Sequence, residues 1–303
     1  MRSFDPHALE CLAAIVEEGG FERAAVRLSI TQSAVSQRLR SLEAQAGTVL
    51  IVRSRPLRAT GAGRLLLRHA MQLRLLRADL DHDLHGLAPG AVSAREEERM
   101  SIAVNADSIA TWALPALTPL VVGGLPLEII ADDQEFTQLW LREGQVLGCV
   151  TALPQALRGC KVVPLGVMRY VAVAQPAYAA AMAPHGLSAH NARTMTFIAF
   201  NRKDELQARF VMQACRLKRV ALNQRFVPSS EGQVQAALSG WGASVVPELQ
   251  VRHLLASGEL VNLAPATALP VGLYWHCWNL DSGVLDALTR ALTEAAARDL
   301  PAG

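Results

Sequence analysis

The sequence predicts an α+β chain in three parts: a winged helix-turn-helix at the N-terminus, a long linker helix, and an α/β region filling the remainder. Three observations carry this. Residues 21–47 hold two short amphipathic helical patterns joined by a tight polar break. Leucines recur at a strict seven-residue step from Leu66 to Leu87. From Met100 onward, short apolar runs alternate with helical patterns.

Asp5 followed by Pro6 is a helix start, an N-cap acid before a proline at the first helical position. That helix runs through Leu9, Leu12, Ala13 and Val16 until Gly19–Gly20 stop it. The next carries Phe21, Ala24, Ala25 and Leu28 on one face, and the one after it Ala34, Val35, Leu39 and Leu42, with Ser29 to Gln32 between them. Small Ala24 and Ala25 let two helices cross closely, as a helix-turn-helix requires. The second helix presents Gln32, Ser33, Ser36, Gln37 and Arg40 outward, with Arg38 beside them, and no acid stands between Ser29 and Leu42. Short hydrogen-bonding side chains and cations suit base edges and phosphates in a major groove, whereas a merely solvated hairpin usually mixes in acids.

Gly47 ends this recognition helix. Val49 to Val52 then read as a strand and Arg53 to Arg58 as a basic hairpin tip, together the wing. Thr60 caps a helix of roughly 27 residues, about 40 Å long at 1.5 Å per residue. Leu66, Leu73, Leu80 and Leu87 form its seam, with Leu76 and His69 at intermediate positions. A seam of that period argues for a partner helix, most simply the same helix of a second copy. Burial against the chain's own core is the competing reading. Pro89–Gly90 and the charged run Arg95 to Arg99 mark the boundary with the next region. The parts are thus 1–59, 60–90 and 98–303.

In the last part, strands are expected at 101–104, 127–130, 147–150, 162–175, 196–200, 225–228, 243–246 and 274–278. Helices are expected from Asp107–Ser108, at 135–143, 204–216, 230–239 and 247–256, and as a closing helix at 282–299. Such alternation predicts a mainly parallel sheet with ligands at the carboxyl ends of its strands.

Of the 303 residues, 51% are hydrophobic and 18% charged, which excludes a disordered chain. A net charge of +2 excludes a polycation, so DNA-binding charge must be local. The first sixty residues hold eight Arg and no Lys against six acids, with Arg53, Arg55 and Arg58 bunched. The five cysteines have no paired spacing, which argues against a disulfide framework or a metal site and for reduced thiols. Prolines and Glu128 interrupt the apolar run from Trp112 to Ala131, so no membrane span is expected. The N-terminus shows no apolar leader, so a cytoplasmic location is expected. No cofactor is indicated. His276 and Cys277 are neighbours in a strand and point to opposite faces, so they cannot act as base and nucleophile; no other arrangement suggests an enzyme.

This order of parts resembles the LysR-type transcriptional regulators over the whole chain. The likeness is sharpest in RAAVRLSITQSAVSQRLRSLE and in the R-P-x-R-x-T-x-x-G stretch from Arg55 to Gly63. Within that family it is most similar to the ArgP/LysG branch, through SIAVNADSIATWALPAL at 101–117, Ser229–Ser230–Glu231, and ASGELVNL followed by LYWH. The resemblance implies a dimer or tetramer that binds double-stranded DNA and answers to lysine or arginine, commonly by activating an amino-acid exporter, with RNA polymerase a candidate further partner. It places Gln32, Ser33, Ser36, Gln37 and Arg38, with Arg53 and Arg55 of the wing, on DNA.

The resemblance also implies two lobes like those of a periplasmic binding protein, lobe I at about 98–163 and 268–303 and lobe II at about 164–267. Between them an effector would meet Asn105, Asp107, Ser108, Asp132, Asp133, Asn201, Asp204, Ser229, Ser230 and Glu231. Free N–H groups and the Ser108 hydroxyl suit a ligand carboxylate, and the acids suit its amines; acids at strand-to-helix junctions also serve as plain helix caps. One departure stands out, Asn201 in place of the acid that follows the phenylalanine in the branch pattern. A regulator sensing another small carboxylate stays open as an alternative. More distant ones are an enzyme and a solute-binding protein.

Overall fold

The computed structural model describes residues 4–52, 54, 57–87, 99–132 and 136–301. Arg53, Arg55 and Asp133 lie outside the described residues, as do the expected 88–98 boundary and the side chain of Leu87.

Helices α1 (Pro6–Glu17), α2 (Phe21–Arg27) and α3 (Gln32–Ala46) form the N-terminal bundle. The Asp5 carboxylate accepts from His7 N–H, and Gly47 closes α3 with φ at 73°, a left-handed conformation that suits glycine. Between α2 and α3, Ser29 is also left-handed, with φ at 52°. Ala24, Ala25, Val35, Leu39 and Leu42 are buried together with α1. The wing is shorter than expected: β1 (Ile51–Val52) pairs antiparallel with β2 (Arg58–Ala59). Val49 is exposed, and its carbonyl accepts from the Thr60 hydroxyl instead of a strand partner. Here the reason for Gly63 is visible, because a Cβ there would stand 2.0 Å from the Leu50 carbonyl oxygen.

The linker helix α4 (Gly61–Leu87) starts as read, with Thr60 Oγ1 accepting from Gly63 N–H at 3.0 Å. It does not present its leucines uniformly. Leu66 and Leu73 pack with Leu67 and Ala70 on the N-terminal core, whereas Met71 and Leu75 join the core of the following region. Leu76 and Leu80 are exposed. The competing reading of burial therefore holds for the first half of the seam, and an unpartnered apolar face remains on the second.

From there the chain lays down β3 (Met100–Asn105), α5 (Ala106–Ser108), a π turn over Ile109–Ala113, α6 (Leu114–Val122), β4 (Leu127–Asp132), α7 (Thr137–Arg142), β5 (Gly148–Thr151) and β6 (Cys160–Ala174). It continues through α8 (Pro176–Met182), β7 (Thr196–Ala199), α9 (Leu206–Cys215), β8 (Asn223–Phe226), α10 (Ser230–Leu238) and β9 (Ala243–Pro247). The last elements are α11 (Glu248–Ser257), β10 (Val261–Asn262), β11 (Leu269–Trp278) and α12 (Gly283–Asp299). The π turn falls just before Pro115 and Pro119, which cannot donate the regular bonds of an α-helix.

One nine-stranded sheet runs β4-β3-β5-β11-β6-β9-β7-β8, with β10 paired to β6. The expectation of a mainly parallel sheet is corrected at its centre. β4–β3–β5 and β8–β7–β9 are parallel, but β11 pairs antiparallel with β5 and β6, and β6 with β9. The reason is topological: β6 carries the chain out of the first half of the sheet and β11 brings it back, so the two run oppositely. β11 is accordingly twice the length read from Tyr274 to Trp278, beginning at Leu269. β8 lies two residues earlier than expected, since Pro228 has no N–H for a ladder. Gly166 and the register shift between Leu273 and Tyr274 sit side by side where the two long strands cross.

Candidate nucleic-acid interface and inter-lobe cleft

On α3 the buried Val35, Leu39 and Leu42 fix the opposite face by helical period. Ser33, Gln37 and Arg40 occupy the middle of that face and are exposed, with Gln32 exposed at its start. Ser36 and Arg38 are half-buried on opposite flanks. The Arg38 guanidinium lies beside Cys11 of α1, whose thiol is pushed up by burial and pulled back by that cation. Thr31 Oγ1 caps the helix by accepting from Ala34 N–H at 3.2 Å and also meets Ser33 Oγ. The helix thus offers hydroxyl, amide and guanidinium groups in one stripe with no carboxylate among them, a surface suited to a phosphate-lined groove.

The bundle is tied to the linker helix by an ionic joint. Arg74 of α4 is 3% exposed. Its guanidinium meets both Glu10 oxygens and donates to Glu17 Oε1 at 2.7 Å; Arg27 also bonds Glu17. Burial pushes the Glu17 carboxyl up, but Arg74 and Arg27 outweigh it and hold it below the usual range. Nothing in the local pattern marked Arg74 out, because its partners lie some sixty residues away in the sequence.

The second site lies where the two halves of the long sheet face each other. A cavity of about 30 Å³ is lined by Asn105, Asp107, Asp132, Phe200, Asp204 and Gln233, among others. Four of the expected effector residues therefore converge there. Asn105 ends β3 and is 1% exposed, with neither amide atom hydrogen-bonded. Asp107 is half-buried on the cavity wall. Its Oδ2 accepts from Tyr170 Oη at 2.7 Å and its Oδ1 from Ser230 Oγ at 2.6 Å. Burial drives this carboxyl up and the two hydroxyls draw it back, while Asp204 and Glu231 add repulsion. Asp132 accepts from Trp140 Nε1 at 3.0 Å. Among the described residues, none of the side chains lining the cavity is cationic.

The remaining candidates take other positions. Asp204 spends one oxygen on Phe200 N–H and the other on Leu206 N–H, so it lines the cavity while capping α9. Asn201 accepts from Lys203 N–H and stays in its own loop. Ser108 is fully buried, its hydroxyl unpartnered, and it does not line the cavity. Ser229 is the N-cap of α10, accepting from Gly232 N–H. Glu231 is exposed and turns to a separate, open groove of about 450 Å³ with Gln250, His253 and Asp299. Sequence reasoning missed Phe200, Gln233 and Tyr170. Gln233 stands one helical turn beyond Ser229–Ser230, where a buried amide was a usable signal; Tyr170 carried none. His276 bonds the Leu153 carbonyl and Cys277 approaches Thr289, so the two do point apart.

A winged helix-turn-helix joined by a long helix to a two-lobed sheet domain, with an acidic pocket between the lobes, defines a ligand-responsive DNA-binding regulator. The chain belongs to the LysR family of transcriptional regulators, and within it to the ArgP/LysG type. Residues 6–64 match the family described as bacterial regulatory helix-turn-helix protein, lysR family, and residues 93–297 match the LysR substrate binding domain. It is 40% identical over 304 residues, all of both chains, to the HTH-type transcriptional regulator ArgP of Aeromonas salmonicida. Among solved structures, ArgP from Mycobacterium tuberculosis superposes with a TM-score of 0.81 at 39% identity, covering 99% of this chain and 100% of that one. Full-length LysG from Corynebacterium glutamicum with bound effector Arg gives a TM-score of 0.71 at 34% identity, covering 98% and 99%. Among the described residues no helix is long and apolar enough to cross a membrane.

Proposed function

We propose that this regulator binds its operator as a dimer or tetramer and senses lysine or arginine in the inter-lobe cleft, so controlling an amino-acid exporter or a related gene. The cleft observation carries the ligand class. Asp107, Asp132 and Asp204 line one cavity with no cation among the described residues of its walls, beside an Asn105 amide whose donor and acceptor are both unused. Buried carboxylates without a cation are costly, and a ligand bearing amine charge relieves that cost. The Asn105 amide offers a donor to the ligand carboxylate. LysG of Corynebacterium glutamicum, with its bound arginine, supports the same class.

For operator recognition, Gln32, Ser33, Ser36, Gln37 and Arg40 of α3, flanked by Arg38, are the base- and phosphate-reaching set, with Arg53 and Arg55 adding cations from the wing. The exposed Leu76 and Leu80 on α4 support self-association through that helix. Calorimetry with lysine, arginine and citrulline tests the ligand. Binding of a basic amino acid with at least tenfold weaker binding of citrulline is expected, since citrulline keeps the length of arginine without its charge. A response to a carboxylate lacking any amine, with none to lysine or arginine, would transfer the protein to the alternative regulon.

A further inference from the structure

The hydrogen bonds around Asp107 run from one lobe to the other. Asp107 follows β3 in the half of the sheet built on β3, β4 and β5. Ser230 opens α10, which packs on the half built on β7 and β9, and Tyr170 lies on the stretch of β6 that pairs with β9. Both Asp107 oxygens are thereby held by the opposite lobe, at 2.6 and 2.7 Å. Gln250 Oε1 stands 3.2 Å from the same Ser230 hydroxyl, a second and longer acceptor for its one proton. The cavity of about 30 Å³ beside Asp107 is partly open, and neither Tyr170 nor Ser230 lines it. An amino acid seated against the Asp107 carboxylate needs more room than this, so the groups that hold that carboxylate must move to admit it.

We propose that the Tyr170–Asp107–Ser230 bridge is a latch that holds the lobes closed in the free protein, and that a cationic ligand opens it by taking Asp107 from the Ser230 hydroxyl. This rests on the amino-acid reading of the cleft. Ser230 parts first for a geometric reason. Gly166 and the register shift at Leu273/Tyr274 mark the crossing of β6 and β11, and Tyr170 lies only four residues from Gly166. A rotation about that crossing displaces α10 far more than Tyr170.

The latch predicts an unusual sign. A side chain that only touches the ligand weakens binding when truncated. A side chain that competes with the ligand for Asp107 strengthens it, because the free protein then spends more time in the competent state. Removing a hydrogen bond to a charged acceptor should shift that balance by about tenfold.

The test compares full-length wild type with Ser230→Ala, Tyr170→Phe and Ser230→Thr. Hydrogen exchange of residues 100–113 and 230–238 is followed without ligand, and calorimetry is run with L-lysine and L-arginine. Ser230→Ala and Tyr170→Phe should both raise exchange in the ligand-free protein. Ser230→Ala should bind the favoured amino acid about tenfold more tightly. Ser230→Thr, which keeps the hydroxyl, should restore both properties. Unchanged exchange in the two truncated variants overturns the latch. Raised exchange with weaker binding by Ser230→Ala overturns the displacement and makes Ser230 a plain ligand contact. If neither amino acid binds the wild type, the ligand reading fails, while the ligand-free exchange still decides the latch.

Discussion

Arg74 is buried and Asp107 half-buried, and their surroundings differ in kind. Arg74 meets Glu10 and Glu17, and Glu17 in turn meets Arg27, so each charge in the joint between α1 and α4 has an opposite one beside it. Among the described residues Asp107 meets two hydroxyls and no cation, and the charges of Asp204 and Glu231 repel it. A completed network makes a rigid splice: it fixes the reading head on the linker helix. An incomplete one leaves free energy for a ligand to release on binding, which is what a sensor needs.

The comparison breaks most decisively at the joint. Arg74→Met keeps the stem but strands two glutamates, and should cost about 3 kcal/mol, read as a lowered first calorimetric transition. Replacing Glu10 and Glu17 by Gln in the same chain should return part of that loss. A cost near zero for Arg74→Met would mean the joint is ornamental. On the head that the joint holds, Gln37→Ala should weaken binding to selected operator DNA by about 1–3 kcal/mol if it reads a base bidentately. Its salt dependence should stay unchanged, because no phosphate contact is lost.

The cleft should answer with the opposite sign. The folded Asp107 carboxyl lies above its ordinary value, so its contribution to stability is complete below the unfolded value and is lost as pH rises through the folded one. Asp107→Asn should therefore stabilise the protein at neutral pH, and the gain should vanish in acid. Glu17, held below its ordinary value, behaves inversely: its contribution is present above the unfolded value and is lost as pH falls through the folded one. Melting Glu17→Gln and Asp107→Asn across acid and neutral pH should thus give differences of opposite slope. Parallel slopes would mean that the two sites are electrostatically alike after all.

The smallest effect on folding is expected on the bare half of α4. Leu76→Glu with Leu80→Glu should change unfolding stability by no more than about 0.5 kcal/mol, as surface substitutions do. It should nevertheless lower the mass seen by light scattering if the exposed pair is the face on which a second copy packs, as proposed. Leu73→Glu is the control, because Leu73 packs on the N-terminal core and its replacement should damage folding as well. Unchanged mass in the double variant would move self-association elsewhere.

Some of this was legible in the chain alone because it depends on neighbours in sequence. Asp5–Pro6, Thr31, Thr60 and Gly47 cap or end helices through contacts within a few residues, and the period of Val35, Leu39 and Leu42 fixes which face of α3 looks outward. The alternation after Met100 located most strands to within two residues for the same reason, but it gave no sign of β10 and only the second half of β11. Strand direction was not local: the antiparallel centre follows from β6 and β11 running between the halves of the sheet in opposite senses. The leucine seam was ambiguous by nature, since a heptad reports an apolar stripe without saying which surface covers it. Only the packed chain divided it between Leu66 and Leu73 on one side and Leu76 and Leu80 on the other.

What the sequence by itself determined is the set of parts, a reading helix, a wing, a linker and a sheet domain, together with the acids at its strand ends, because capping, periodicity and spacing act over one or two turns. What only the tertiary structure decided is which of those acids are used and by whom. Asp204 serves its own helix, Glu231 turns away to another groove, and Asp107 is claimed from across the cleft by Tyr170 and Ser230. Those partners stand 63 and 123 residues away from Asp107, and no local pattern specifies a bond that exists only once two lobes have closed on each other.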